Sequence, residues 1–89
     1  MTQRKAHYKE REAYAVHHGD YAGKMFIVIG TDANTVNCLA IPDMENIKVP
    51  FESFERGRNT GIITLSEKLP RSVYKISKAQ YYKNEDSNN

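Results

Sequence analysis

Met25-Phe26-Ile27-Val28-Ile29 is the longest uninterrupted apolar run in the chain. Five residues suit a strand, and the absence of polar alternation marks one that is covered on both faces or sits at the core of a small barrel. Gly30-Thr31-Asp32-Ala33-Asn34 follows with turn chemistry, since Gly, Asp and Asn tolerate the backbone angles of a reversal. Thr35 to Ile41 then alternates Val36, Cys38 and Ala40 against Asn37, Leu39 and Ile41, which predicts a second strand antiparallel to the first. Pro42-Asp43 ends it, because proline cannot donate to a ladder.

Working outward, Ala13 to His17 reads as an earlier strand stopped by Gly19-Asp20, and Ile47 to Val49 as a later one. Pro50 opens Phe51-Glu52-Ser53-Phe54-Glu55-Arg56. A proline at its start and Gly57 after it fit a single 3-10 or helical turn, or a short helix. Gly61 releases Ile62 to Leu65, the last strand. Short, evenly spaced strands predict a mainly β protein, a small antiparallel barrel of about five strands, closed so that no edge is left exposed. Met25, Phe26, Ile27, Val28, Ile41, Val49, Phe51, Phe54, Ile62 and Leu65 are the expected core, with Cys38 a small member of it.

The segment after Pro70 has helical periodicity. At 100° per residue, Leu69, Val73, Ile76 and Gln80 share one face, expected to pack, and Arg71, Lys75, Lys78 and Tyr82 share the other. A C-terminal amphipathic helix is predicted there, with a strand through Val73 to Ser77 as the competing assignment. Residues 1–11 are expected to be a flexible basic arm, 12–83 the single folded domain, and 84–89 a disordered acidic tail.

With 89 residues, one core is all the chain can build. Hydrophobic residues at 39% argue against wholesale disorder, although mean hydropathy is −0.70. No run approaches the roughly 20 apolar residues that span a bilayer, so no membrane partner is expected. The N-terminus lacks a secretory pattern, so a cytoplasmic location is expected. One cysteine forms no internal disulfide, and no Cys/His cluster has metal-ligand spacing; no metal and no cofactor are expected.

The net charge is +2, unevenly spread. Residues 1–24 carry +2, 25–65 carry −2, 66–83 carry +4 and the last six −2. Cations therefore gather at the two ends of the folded part, as suits an anionic partner. Arg71, Lys75 and Lys78 stand one turn apart and can track phosphates, with Lys68 and Lys83 at the ends of that face and Tyr74, Tyr81 and Tyr82 near enough to stack on bases. The solvated face of an ordinary helix is the equally simple alternative. Arg4, Lys5 and Arg11 interleave with His7 and Tyr8 in the arm, while Arg56-Gly57-Arg58-Asn59-Thr60-Gly61 reads as a phosphate-holding loop and Lys24 as a further contact.

Gly19, Tyr21, Gly23, Val49, Pro50 and Phe54 occupy positions that resemble those of SH3-like barrels, in particular KOW and Tudor-like modules. The similarity covers about 40 residues and departs from the KOW pattern at Phe26, where a second glycine is usual. It implies a barrel with a helical turn before its last strand. Small barrels of this kind resemble accessory proteins of large lytic tailed phages, some of which inhibit host defence. The expected function is non-enzymatic binding of nucleic acid, RNA above all. A protein-interaction module is the alternative: a homodimer, or an inhibitor of a host protein such as a toxin, using the acidic Asp43, Glu45, Glu52 and Glu55. A ribonuclease resembling the MazF and PemK toxins is the third reading, with His17 or His18 as base beside Lys24 or Arg58.

Overall fold

β2 (Met25–Thr31) is the middle of a five-stranded antiparallel sheet, flanked by β1 (Glu12–Val16) and β3 (Thr35–Ile41). Next to β3 lies β4 (Glu45–Pro50), and next to β1 lies β5 (Ile63–Lys68), so the order is β4-β3-β2-β1-β5. Helix α1 (Phe51–Thr60) joins β4 to β5, and α2 (Arg71–Ser87) ends the chain. These assignments come from a computed structural model, which describes residues 9–87. Among them no helix is long and apolar enough to cross a membrane.

The continuous apolar run of β2 is explained by burial on both sides. Phe26 and Val28 point into one cluster with Tyr14, Val16, Val36, Cys38 and Phe54. Ile27 and Ile29 point into a second with Ala13, Leu39, Leu69, Tyr74 and Tyr81. α1 caps the first cluster through Phe54, and α2 covers the second. The pairing Phe26↔Ala40 and Val28↔Cys38 keeps the two faces in phase until a register shift between Val28 and Gly30.

The architecture is mainly β and barrel-like, but the sheet is not closed. β4 and β5 are its two edges and do not pair with each other. α1 packs against both of them and covers the gap that strand pairing was expected to close. α1 also runs past Gly57, the residue expected to end it. Gly57 is buried inside the helix, where an added Cβ would lie 3.3 Å from Ile63 Cγ1, and the stop comes at Gly61, whose φ of 80° only glycine adopts without cost.

Two further expectations are corrected. Ile62 and Leu65 are not core residues: they are 38% and 56% exposed, and Ile63 is the buried residue of this segment. An edge strand is covered only where another element lies over it, and Ile63 lies under α1 at Gly57 and pairs with Val16 of β1. Nor are residues 84–87 a disordered tail, since they continue α2. Asn84 Nδ2 donates to Met44 O at 2.8 Å and to Asn46 Oδ1 at 2.9 Å, which ties the last turns to the β3–β4 connection. Residues 1–8 of the arm and 88–89 of the tail lie outside the described residues.

Candidate nucleic-acid interface

The C-terminal segment is the helix that periodicity predicted, but it packs through a different stripe. Tyr74, Ser77 and Tyr81 are buried, whereas Val73 is 42% and Ile76 70% exposed. Positions 74 and 81 are seven residues apart, nearly two full turns, so both tyrosines fall on one line. Each ring removes more apolar area from water than Val or Ile, and that decides which face turns inward. Tyr74 also finds a partner for its polar end: its hydroxyl donates to Ile29 O at 2.8 Å. Burial, with the Glu10 carboxylate nearby, pushes that hydroxyl's pKa up to about 12, so it stays a donor at neutral pH. Two of the three tyrosines expected to stack on bases therefore belong to the core. Tyr82 remains outside, 53% exposed, with its ring edge-on to Tyr81 at 5.3 Å.

Turning the tyrosines inward places the expected cations along one groove. Arg71, Lys75 and Lys78 line it together with Tyr74, Ala79 and Glu10, around a volume of about 610 Å³. Lys78 Nζ lies 5.8 Å from the centre of the Tyr74 ring, which forms part of the wall. Among the described residues none of the three cations is in an ion pair, although Glu10 shares their groove. The position of Arg71 opposes the helix's own electrostatics. α2 has no acidic residue in its first turn and no basic residue in its last, while Arg71 opens it and Glu85 and Asp86 close it. The positive end of a helix dipole disfavours cations, so Arg71 is not there for the helix's benefit.

The remaining expected contacts do not join this groove. Lys68 is exposed at the end of β5, opposite Glu12 in the sheet. Arg11 serves the fold instead. At φ 80° it donates from Nε to Leu69 O at 3.0 Å, and its own carbonyl accepts from Leu69 N at 2.8 Å. That arrangement fixes the approach to α2. Lys24 pairs with Asp43, linking the β1–β2 loop to the β3–β4 turn, and the bonded carboxylate holds the ammonium's pKa above its ordinary value. Arg56 and Arg58 are helical residues of α1, so the expected glycine-bearing loop does not exist and its amides serve the helix instead. Arg58 lies 6.0 Å from the Tyr14 ring centre. Arg4 and Lys5 lie outside the described residues. His17 Nε2 is 2.8 Å from Thr64 Oγ1, whereas His18 turns toward a different recess.

Glu10 and Ala79 are the groove residues that the sequence reading does not name, and Tyr74, expected as a stacking ring, is instead a buried part of the wall. The seven-residue spacing of the tyrosines was the available signal. No group of three His, Cys, Asp or Glu side chains that could hold a metal occurs among the described residues. Compared with protein-family models, curated proteins and solved structures, the chain matches none.

Proposed function

We propose that this protein is a small SH3-like module that binds RNA in single-stranded form along α2. The meander of four strands, a helix, and a last strand that returns to pair with β1 supports the SH3-like reading. One observation carries the functional reading: Arg71, Lys75 and Lys78 stand at successive turns, outside any ion pair among the described residues, beside an aromatic wall. Such a row neutralises consecutive phosphates and releases their counterions. Tyr82, exposed on the same helix, supplies a ring on which an unpaired base stacks. A single strand suits the site better than a duplex, because stacking needs a base that has left its partner.

Fluorescence anisotropy of a labelled single-stranded RNA across a salt series tests this. Three phosphate contacts give a slope of log K against log salt of about −2, from roughly −0.7 per contact. The triple change Arg71→Glu, Lys75→Glu and Lys78→Glu should abolish binding. Salt-independent affinity, or affinity unchanged in the triple variant, refutes the reading.

A protein partner is the second reading, and Ile76 at 70% and Val73 at 42% exposure favour it, since both are apolar residues on the open side of α2. Pull-down with and without nuclease separates the two, because partners bridged by RNA are lost on digestion.

A further inference from the structure

A second recess opens on the face of the sheet away from α2. It lies where the unpaired edges approach each other, between the β1–β2 loop, α1 and the start of β5. Its floor is apolar, formed by Val16, Phe26, Phe54 and Ile63 of the inner cluster. Its rim is polar, with His18 and Asp20 from the loop and Ser53 and Arg56 from α1. The volume is about 290 Å³, just below the roughly 300–1,000 Å³ typical of small-molecule sites. One ring system fits; a stack of them does not.

Asp20 and Arg56 carry opposite charges on this rim, yet they pair neither with each other nor with another charged group among the described residues. Two unpaired, opposite charges on the rim of one apolar floor fit a ligand with the inverse pattern: an anionic group, a flat body, and N–H donors. A nucleotide separates its phosphate from the donor edge of its base by the length of the sugar and ring.

We propose that this recess is a binding site for one nucleotide. The base lies on the apolar floor, the phosphate meets the Arg56 guanidinium, and the N–H edge of the base donates to the Asp20 carboxylate. Guanine is the preferred base, because its ring N–H and amino group present two adjacent donors to one carboxylate, whereas uracil presents a single N–H. The phosphate belongs either to a free mononucleotide or to the 5′ end of a strand, and both offer the same chemistry. The site is independent of the α2 groove, which lies on the opposite face.

The test is a titration of ¹⁵N-labelled protein, followed by amide shifts, with GMP, UMP, inorganic phosphate and a 5′-phosphorylated tetranucleotide beginning with G. GMP should give saturable shifts around Val16, His18, Tyr21 and Gly57, and bind about tenfold more tightly than UMP. Asp20→Asn should bring the two within about twofold of each other, and Arg56→Gln should weaken both about tenfold. Both changes are at exposed rim positions, so the remaining spectrum should stay unchanged. The triple α2 variant should bind GMP as the parent does, which keeps this proposal separate from the fate of the RNA reading. Saturable binding of the tetranucleotide in place of GMP assigns the site to a strand end. Absence of saturable shifts with either, shifts confined to α2, or equal shifts with inorganic phosphate overturn the proposal.

Discussion

Asn84 and Asn46 meet side chain to side chain across 38 residues of sequence, the Asn84 amide donating to Asn46 Oδ1 at 2.9 Å. Asn46 in turn donates to Tyr81 O at 3.0 Å and to Glu85 Oε2 at 3.1 Å. The last turns of α2 are thus fastened to the sheet by amides, while its middle is held by buried rings.

Asn46→Ala removes the hub of that network. Loss of three part-buried hydrogen bonds worth about 0.5–1.5 kcal/mol each should cost about 1.5–4.5 kcal/mol in urea unfolding. Amides of residues 81–87 should exchange faster while those of β2 and β3 do not. The groove at the other end of α2 should survive, so RNA affinity should hold at temperatures where the variant stays folded.

The face that α2 buries can be checked by paired substitutions. Tyr74→Phe loses the bond to Ile29 O and leaves that carbonyl short of a partner, at a cost of about 1 kcal/mol or somewhat more. Ile76→Ser, at an exposed position, should change stability by less than about 0.5 kcal/mol. If the apolar face expected from the sequence were the packed one, Ile76→Ser would be the damaging change and Tyr74→Phe the mild one.

That reversal shows where the sequence was readable and where it was not. β3 was predicted to the residue, Thr35 to Ile41, because clear alternation and a following proline bound it on both sides. The unbroken run of β2 correctly implied a strand covered on both faces, since any central strand between two packed layers must be apolar throughout. The strand β5 was legible but its buried residue was not, because the exposed Ile62, just before it, and Leu65 within it carry the same signal as buried residues; only the position of α1 singles out Ile63. The helix α2 was legible but its packed face was not, because Tyr74 and Tyr81 read as rings for bases beside the cations, although a tyrosine whose hydroxyl has an acceptor, as Tyr74 has, packs as well as an apolar residue. The Asn46–Asn84 clamp left no local trace, since neither residue has a periodicity that points to the other. Of the candidate site, Arg71, Lys75 and Lys78 were legible from their spacing alone. Glu10, which shares their groove, arrives through the tertiary fold.

Cys38 should be inert to thiol reagents in the native state. It is fully buried, and burial pushes its thiol pKa up to about 12, so no thiolate is available near neutrality. Labelling by a disulfide reagent should proceed only through unfolding and should accelerate in step with denaturant. The same shift has a pH signature. Above about pH 8.5 the unfolded chain's thiol ionises while the native one does not, so the native state binds more protons and loses stability as pH rises. Tyr74, also raised to about 12, adds to this above about pH 10. Urea midpoints should therefore be insensitive to the Cys38 contribution below about pH 8 and fall progressively from there toward pH 12.

Arg71 offers the sharpest separation of structural from functional purpose. It stands at the first position of α2, where the unpaired backbone N–H groups give the helix end a partial positive charge. A cation there costs the helix about 0.3–1 kcal/mol, reduced by its exposure and by the Glu10 carboxylate in the same groove. Arg71→Gln should accordingly leave the unfolding free energy unchanged or raise it by about a few tenths of a kcal/mol. If Arg71 contacts a phosphate, the same change should weaken RNA binding at low salt and make the salt slope shallower by about 0.7. A variant that becomes no less stable while losing one counterion's worth of salt dependence fits a residue kept for its ligand. A destabilised variant with an unchanged slope would instead make Arg71 a structural residue and reduce the proposed phosphate row to Lys75 and Lys78.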